Sequence, residues 1–136
     1  MEVRTENYMI STDKTLLNHE IIYELLSRTY WAGHRSKEKI DRSIEHSLCF
    51  GVYHAGRQVG FARVITDWAT TYWLCDVVID ENYRGKGIGK ILVQSIIACD
   101  ELAGLSGFLG TVDAHGLYEQ YGFARDTDRF MVRRPQ

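Results

Sequence analysis

The sequence is short of proline, of paired cysteines and of long apolar runs, and each shortage removes a class of protein. Its one proline, Pro135, is the penultimate residue, and no Gly/Ser-rich or single-sign charged stretch interrupts the chain, so no linker or tail is marked. Cys49, Cys75 and Cys99 are odd in number and none forms a Cys-x-x-Cys pair, which argues against a disulfide framework and against a zinc site. The longest uncharged apolar run, Ile91 to Cys99, is about half of what a membrane-spanning helix needs. The first residues also lack the basic-then-apolar pattern of a secretion signal, so the expectation is a soluble, cytoplasmic protein with no membrane partner. A net charge of −2, without a basic stripe, disfavours a nucleic-acid partner. The five histidines are scattered without His-x-x-x-His spacing, so no metal is expected.

What is there is an ordinary globular composition, 45% hydrophobic and 25% charged, in 136 residues. That is enough chain for one core and too little for two, so residues 1–136 read as a single domain.

Tyr8 to Ser11 reads as a first strand. Leu17, Ile21, Ile22, Leu25, Leu26 and Tyr30 then recur at helical spacing behind the cap residue Asn18. A second helix starts at Ser36, with Ile40, Ile44 and Leu48 along one face. Leu48 to Tyr53 and Gln58 to Thr66 form a hairpin about Ala55-Gly56-Arg57, and Tyr72 to Ile79 follows as the central strand. Its apolar end, Val77-Val78-Ile79, lacks polar alternation and should be covered on both faces. A third helix begins within Gly87 to Lys90 and stops near Gly104, and Phe108 to Val112 is a further strand. Asp113 is placed to cap a short helix over Ala114 to Tyr121, with two last strands in Phe123 to Arg125 and Phe130 to Arg133. The predicted order is βααβββαβαββ, an α/β (α+β) fold with a mixed, mostly antiparallel central sheet flanked by helices on both faces.

The chemistry concentrates in Arg84-Gly85-Lys86-Gly87-Ile88-Gly89-Lys90, between the apolar strand and the third helix. Glycines allow close backbone approach, and a helix N-terminus offers unpaired N–H donors and partial positive charge, so these residues suit a pyrophosphate. The bland alternative is a solvated basic turn. A Walker A loop would need Gly at position 84 and Ser or Thr at 91, where Arg84 and Ile91 stand, and a dinucleotide fingerprint from Gly85 would need Gly at position 90, where Lys90 stands.

With Arg84, Gly87 and Gly89 in the pattern Arg/Gln-x-x-Gly-x-Gly/Ala, this stretch resembles the acyl-CoA motif of the GCN5-related N-acetyltransferases. The resemblance extends to Leu74–Ile79 upstream and to Leu117-Tyr118-Glu119-Gln120-Tyr121-Gly122-Phe123 downstream, about half the chain in all. It implies an acetyl-CoA-dependent N-acetyltransferase domain. The backbone of Val77, Val78 and Ile79 would pair with the pantetheine arm, and Arg84, Gly85, Lys86, Gly87, Ile88, Gly89 and Lys90 would hold the pyrophosphate. Tyr118 matches the position whose phenol lies near the CoA sulfur.

Acyl transfer to an amine needs a neutral amine, a polarised carbonyl and a proton for the departing thiolate. Tyr118 is the candidate acid, although a phenol of ordinary pKa near 10 has little drive to protonate a thiolate near 8.5. The same tyrosine would serve equally as a core residue beside Leu117 and Tyr121. Asp76 on the central strand is the candidate base. Strand pairing sets Arg63 opposite Cys75 or Asp76, however, and a carboxylate held by arginine is a poor proton acceptor, so water is the other candidate. Cys75 as an acyl-carrying nucleophile is disfavoured by its apolar strand. Tyr30, Trp31 and Tyr72, with Arg35, Trp68 and Trp73, fall at element ends where the family builds its acceptor pocket, and where ordinary packing also places aromatics.

The expected reaction is direct attack by a primary amine in a ternary complex, with a small molecule or a peptide as the amine and no metal. The alternative is a non-catalytic acyl-CoA-binding sensor or interaction module. Only thirteen residues follow Phe123, so the last strand pair is short, and a homodimer that completes the acceptor side is a further expectation.

Overall fold

The computed structural model describes residues 1–135, and its order of strands and α-helices is ββααβββαβα. The strands are β1 (Glu2–Arg4), β2 (Met9–Ser11), β3 (Leu48–His54), β4 (Arg57–Thr66), β5 (Thr71–Ile79) and β6 (Ser106–Leu109). They form one sheet in sequence order, antiparallel throughout except for the parallel β5–β6 pair. No helix among the described residues is long and apolar enough to cross a membrane.

Helix α1 (His19–Ser27) starts where Asn18 accepts from the Ile21 N–H at 3.1 Å, and α2 (Lys37–Glu45) where Ser36 accepts from the Lys39 N–H at 3.2 Å. Each cap satisfies a donor that the first helical turn leaves open. Both helices cover one face of the sheet, where Ile22, Leu25, Leu26, Ala32, Ile40 and Ile44 meet Cys49, Phe61 and Val78. Helices α3 (Ile88–Ile97) and α4 (His115–Glu119) cover the other, with Ile88, Leu92, Val93, Ile96 and Tyr118 on Phe50, Val52, Val64 and Leu74. Burying one such large apolar side chain contributes about 1.5–3 kcal/mol, so two covered faces fix the sheet between two layers.

The hairpin, the capped helices and the doubly covered Val77–Ile79 segment stand as read from the sequence, but several boundaries move. The short strand β1 precedes the first predicted one. Helix α3 ends at Ile97, and a 3₁₀ turn over Asp100–Leu102 carries the chain to Gly104. Strand β6 covers Ser106–Leu109 instead of Phe108–Val112, because β5 and β6 part after the Leu74–Leu109 pair and leave Gly110 to Val112 without a ladder. Asp113 does not cap α4. Thr111 Oγ1 accepts the Ala114 N–H at 3.0 Å instead. Strand β5 is the fifth of six, not the centre, and neither Phe123–Arg125 nor Phe130–Arg133 is a strand. A segment of high strand propensity forms a strand only when an edge receives it.

Candidate active site

The β5–β6 ladder ends early. Thr71 to Leu74 pair with Ser106 to Leu109, whereas beyond them only Cys75, Val78 and Ile79 are paired, all on the β4 side. The register of β4 against β5 slips between Phe61 and Arg63, and Asp76 sits at the slip with φ +55°. A bulge of this kind bends the strand away from its neighbour. The result is a cleft beside a stretch of β5 that has no β6 partner, where Val78 pairs across to Phe61 and Ile79 O accepts from Arg84. An extended, amide-bearing arm can pair with that stretch as a further strand would.

The cleft leads to the glycine-rich turn. Gly85 and Gly87 have φ of +78° and +80°, conformations that disfavour a side chain, and a Cβ built on Gly85, Gly87 or Gly89 would meet nothing within 4 Å. Gly87 is the N-cap of α3 and supplies no side-chain cap. The first helical N–H to find an acceptor within the helix is that of Ile91, on Gly87 O at 3.2 Å, so the N–H groups of Ile88, Gly89 and Lys90 stay open. Arg84, Lys86 and Lys90 are exposed around them and form no ion pair among the described residues. Lys86 Nζ lies 5.3 Å from the Tyr83 ring centre, and Arg84 Nε donates to Ile79 O at 3.4 Å, tying the turn to the end of β5. Open N–H groups, a helix dipole and three cations without an ion pair make a cradle that could hold a diphosphate.

Tyr118, on α4, is buried against Phe123, whose ring meets its own edge to face at 6.0 Å. Burial first, then the charges of Asp113 and Tyr30, push its phenol up to about 12. It therefore keeps its proton, as a donor must. The turn that follows α4 is tied to the cradle, since Tyr121 OH donates to Lys90 O at 3.3 Å.

Asp76 is buried, and both Arg35 Nη1 (2.8 Å) and Arg63 Nε (2.9 Å) donate to its Oδ2. Arg63 opposes Cys75 in the ladder, so the predicted pair with Asp76 is present, and Arg35 is an additional partner that no local pattern announces. Asp76 Oδ1 is buried without a hydrogen-bond partner. Cys75 donates its thiol to Arg63 O at 3.4 Å, and burial raises its pKa to about 11, which keeps it from being a thiolate.

Tyr30 and Trp31 are exposed and pack edge to face at 5.0 Å in the turn after α1. Tyr72 does not join them. It is buried in the core on the α3 side, its ring over Gly107. The exposed aromatic surface of β5 and β6 is instead a stack in which Trp73 lies between Phe108 (6.1 Å) and Phe130 (5.7 Å). Beside it is a cavity of about 420 Å³, lined in part by Gly107, Leu109, Tyr118, Glu119 and Asp126. Trp73 stood among the aromatics marked in the sequence, but the part played by Phe130 carried no signal there.

Comparisons with known proteins agree with this geometry. The profile of the Acetyltransferase (GNAT) family matches residues 19–123. A crystal structure of a protein assigned to the GNAT family from Xanthomonas campestris pv. campestris superposes with a TM-score of 0.91 at 41% identity, covering 97% of this chain and 96% of that one. Among curated sequences, an acetyltransferase of Gibberella zeae is 31% identical over 65% of this chain and 61% of its own length. The rice (Oryza sativa subsp. japonica) protein named serotonin N-acetyltransferase 2, chloroplastic, is 26% identical over 93% of this chain and 66% of its own length. This chain thus spans just under two thirds of each of those two relatives. With a splayed parallel pair, a glycine cradle on a helix N-terminus and a family profile over most of its length, the chain belongs to the GNAT family of acetyltransferases.

Proposed function

We propose that this chain is an N-acetyltransferase that moves an acetyl group from acetyl-CoA to a primary amine by direct attack in a ternary complex. The observation that carries the reading is the stretch of β5 without a β6 partner, running into the α3 cradle, with a protonated phenol on the helix whose following turn is tied to that cradle.

Acetyl-CoA supplies an activated acyl group on a thiol leaving group. Val77, Val78 and Ile79 offer the backbone edge that aligns its amide-bearing arm, and the open N–H groups of Ile88, Gly89 and Lys90 bind diphosphate oxygens with Arg84, Lys86 and Lys90 around them. Such preorganised donors fix the acyl group without reorganisation at the moment of attack. Tyr118 holds its proton at every physiological pH, and although burial makes it a weaker acid than an ordinary phenol, it can hydrogen-bond to the departing sulfur.

The role of Asp76 is bounded by its partners. Two guanidiniums occupy Oδ2 and solvent does not reach Oδ1, so the carboxylate fixes the bulge that opens the cleft, and water takes up the amine proton. The acceptor approaches past Tyr30 and Trp31, whose exposed rings suit an apolar or aromatic amine. A relative named for serotonin is consistent with that class.

The test is a thermal shift with acetyl-CoA followed by a screen of amines for CoA release. A shift together with turnover of at least one amine supports the transferase. A shift without turnover of any amine leaves a CoA-binding module, and no shift removes the cofactor reading altogether.

A further inference from the structure

The glycine-rich turn is backed by a row of rings that the reaction itself does not use. His54, the last residue of β3, is half-buried, and its Nδ1 is hydrogen-bonded to the Tyr83 hydroxyl at 2.9 Å. The Tyr83 ring stands edge to face on the imidazole at 5.4 Å, and the Tyr8 ring lies 5.5 Å from the same imidazole. Both tyrosines pack against the core on the α3 side. Tyr83 in turn carries Lys86 Nζ over its ring. A line of contacts therefore runs from the start of β2, through His54 and Tyr83, to a cation of the cradle. In the sequence His54 is one of five scattered histidines, and nothing local links it to Tyr83.

Lys86 needs such a support. Gly85 and Gly87 on either side of it both have positive φ, and the lysine side chain forms neither an ion pair nor a hydrogen bond among the described residues, so the Tyr83 ring is what holds its ammonium. A lysine ordered only on binding an anion gives up rotamer freedom at that moment, and one already held gives up less. The backbone of Tyr83 is fixed independently, since Asp80 N–H donates to Val59 O at 2.8 Å and Tyr83 N–H donates to Asp80 O at 2.8 Å. What remains to be set is the direction of the phenol, and the bond to His54 sets it. A neutral imidazole with its proton on Nε2 accepts at Nδ1. A phenol that donates to that nitrogen has a more electron-rich ring, which attracts an ammonium more strongly.

We propose that His54 is a positioning residue for acyl-CoA binding, which accepts from the Tyr83 hydroxyl and so holds the ring that presents Lys86 to the diphosphate. The inference rests on the reading of residues 84–90 as the acyl-CoA cradle and extends it to a histidine outside that stretch. His54 acts on the affinity for the donor through two other side chains.

The experiment is calorimetric titration of acetyl-CoA into the full chain as wild type, His54→Phe, Tyr83→Phe and the double variant, repeated in a Lys86→Met background. His54→Phe keeps a ring against Tyr8 and Tyr83 and loses the acceptor. Tyr83→Phe keeps the ring under Lys86 and loses only the hydroxyl, so it gives the answer even where His54→Phe does not fold. Each single variant is expected to raise Kd about threefold, within the worth of a cation–π contact at an exposed site. The double variant should raise it no further, because the same bond is lost in all three. In the Lys86→Met chain, either substitution should leave Kd where Lys86→Met alone puts it, whereas a merely structural histidine would weaken binding equally on both backgrounds. An unchanged Kd in either single variant overturns the proposal, as does additivity in the double variant or an undiminished effect without Lys86. Those outcomes leave the cradle reading standing, since wild type still binds acetyl-CoA. A wild type that binds none overturns both.

Discussion

Arg63 Nε donates to Asp76 Oδ2 at 2.9 Å across the β4–β5 ladder, at the point where that ladder changes register. Arg35 reaches the same oxygen from 41 residues away, and Arg63 Nη1 also donates to Ser47 Oγ at 3.1 Å, so the bend in β5 is held from α2's approach, from β3's approach and from β4. The bend lies just beyond the point where β5 leaves β6, and one buried carboxylate joins the groups around it.

Asp76→Ala should therefore cost more than a surface ion pair would. It leaves two guanidiniums facing each other without a counter-charge, and breaking a buried pair in this way costs about 3–5 kcal/mol. The urea midpoint reads it. A loss of only a few tenths of a kcal/mol, the range of an exposed pair, would show that the bend stands without Asp76.

Much of this arrangement was legible in the chain, for local reasons. Asn18 and Ser36 act on donors three residues ahead, and the glycines of the cradle act on their own φ angles, so spacing alone revealed them. The Arg35–Asp76 contact crosses between elements and has no period to betray it. The positive φ of Asp76 depends on the bulge, not on the residue type. The last two predicted strands failed for a related reason. Phe130 to Arg133 has the composition of a strand, yet strand structure belongs to a pair of segments, and this segment pairs with none among the described residues. Tyr72 reads as an exposed aromatic at an element end until the alternation of β5 turns it toward α3.

Tyr118→Phe keeps the ring and its packing on Phe123 and removes only the donor. The amine-dependent kcat should fall by about a hundredfold, the low end of what a positioned acid contributes. Acetyl-CoA affinity should not change. Steady-state kinetics beside a thermal shift separate the two, and an unchanged kcat would make Tyr118 a core residue only.

The pH dependence follows from the same phenol, pushed up to about 12 chiefly by burial. The donor form is lost only as pH rises through that value, so kcat should show no descending limb from Tyr118 below about pH 10, the ordinary phenol range. Stability behaves differently. The unfolded phenol ionises near its ordinary value while the folded one does not, so this contribution is intact below about pH 10 and is lost as pH rises toward the folded pKa. A kcat–pH profile and a melting series across the alkaline range check both signs.

Gly107 on β6 lies under the Tyr72 ring, so close that a Cβ there would overlap it. Tyr72 is 7% exposed and has nowhere to retreat. Gly107→Ala should destabilise by about 1–3 kcal/mol, the usual cost of overpacking. The melting temperature measures it. No change would mean that the ring swings aside without loss.

Gly87→Glu tests the cradle against the bland reading of a solvated basic turn. The position has room for a side chain but a φ of +80°, so the unliganded protein should lose about 1–2 kcal/mol to left-handed strain. Gly104→Glu is the matched control, with the same φ of +80° and the same open surroundings beyond the other end of α3. Acetyl-CoA at about 100 times its Kd stabilises a binding protein by roughly 2.7 kcal/mol. Wild type and Gly104→Glu should both gain that much. In Gly87→Glu a carboxylate stands among the open N–H groups where the diphosphate must sit, and the gain should vanish. Because the two variants share their strain and differ only in place, a shift lost in both would point to backbone damage, and a shift kept in both would remove the cradle from the binding site.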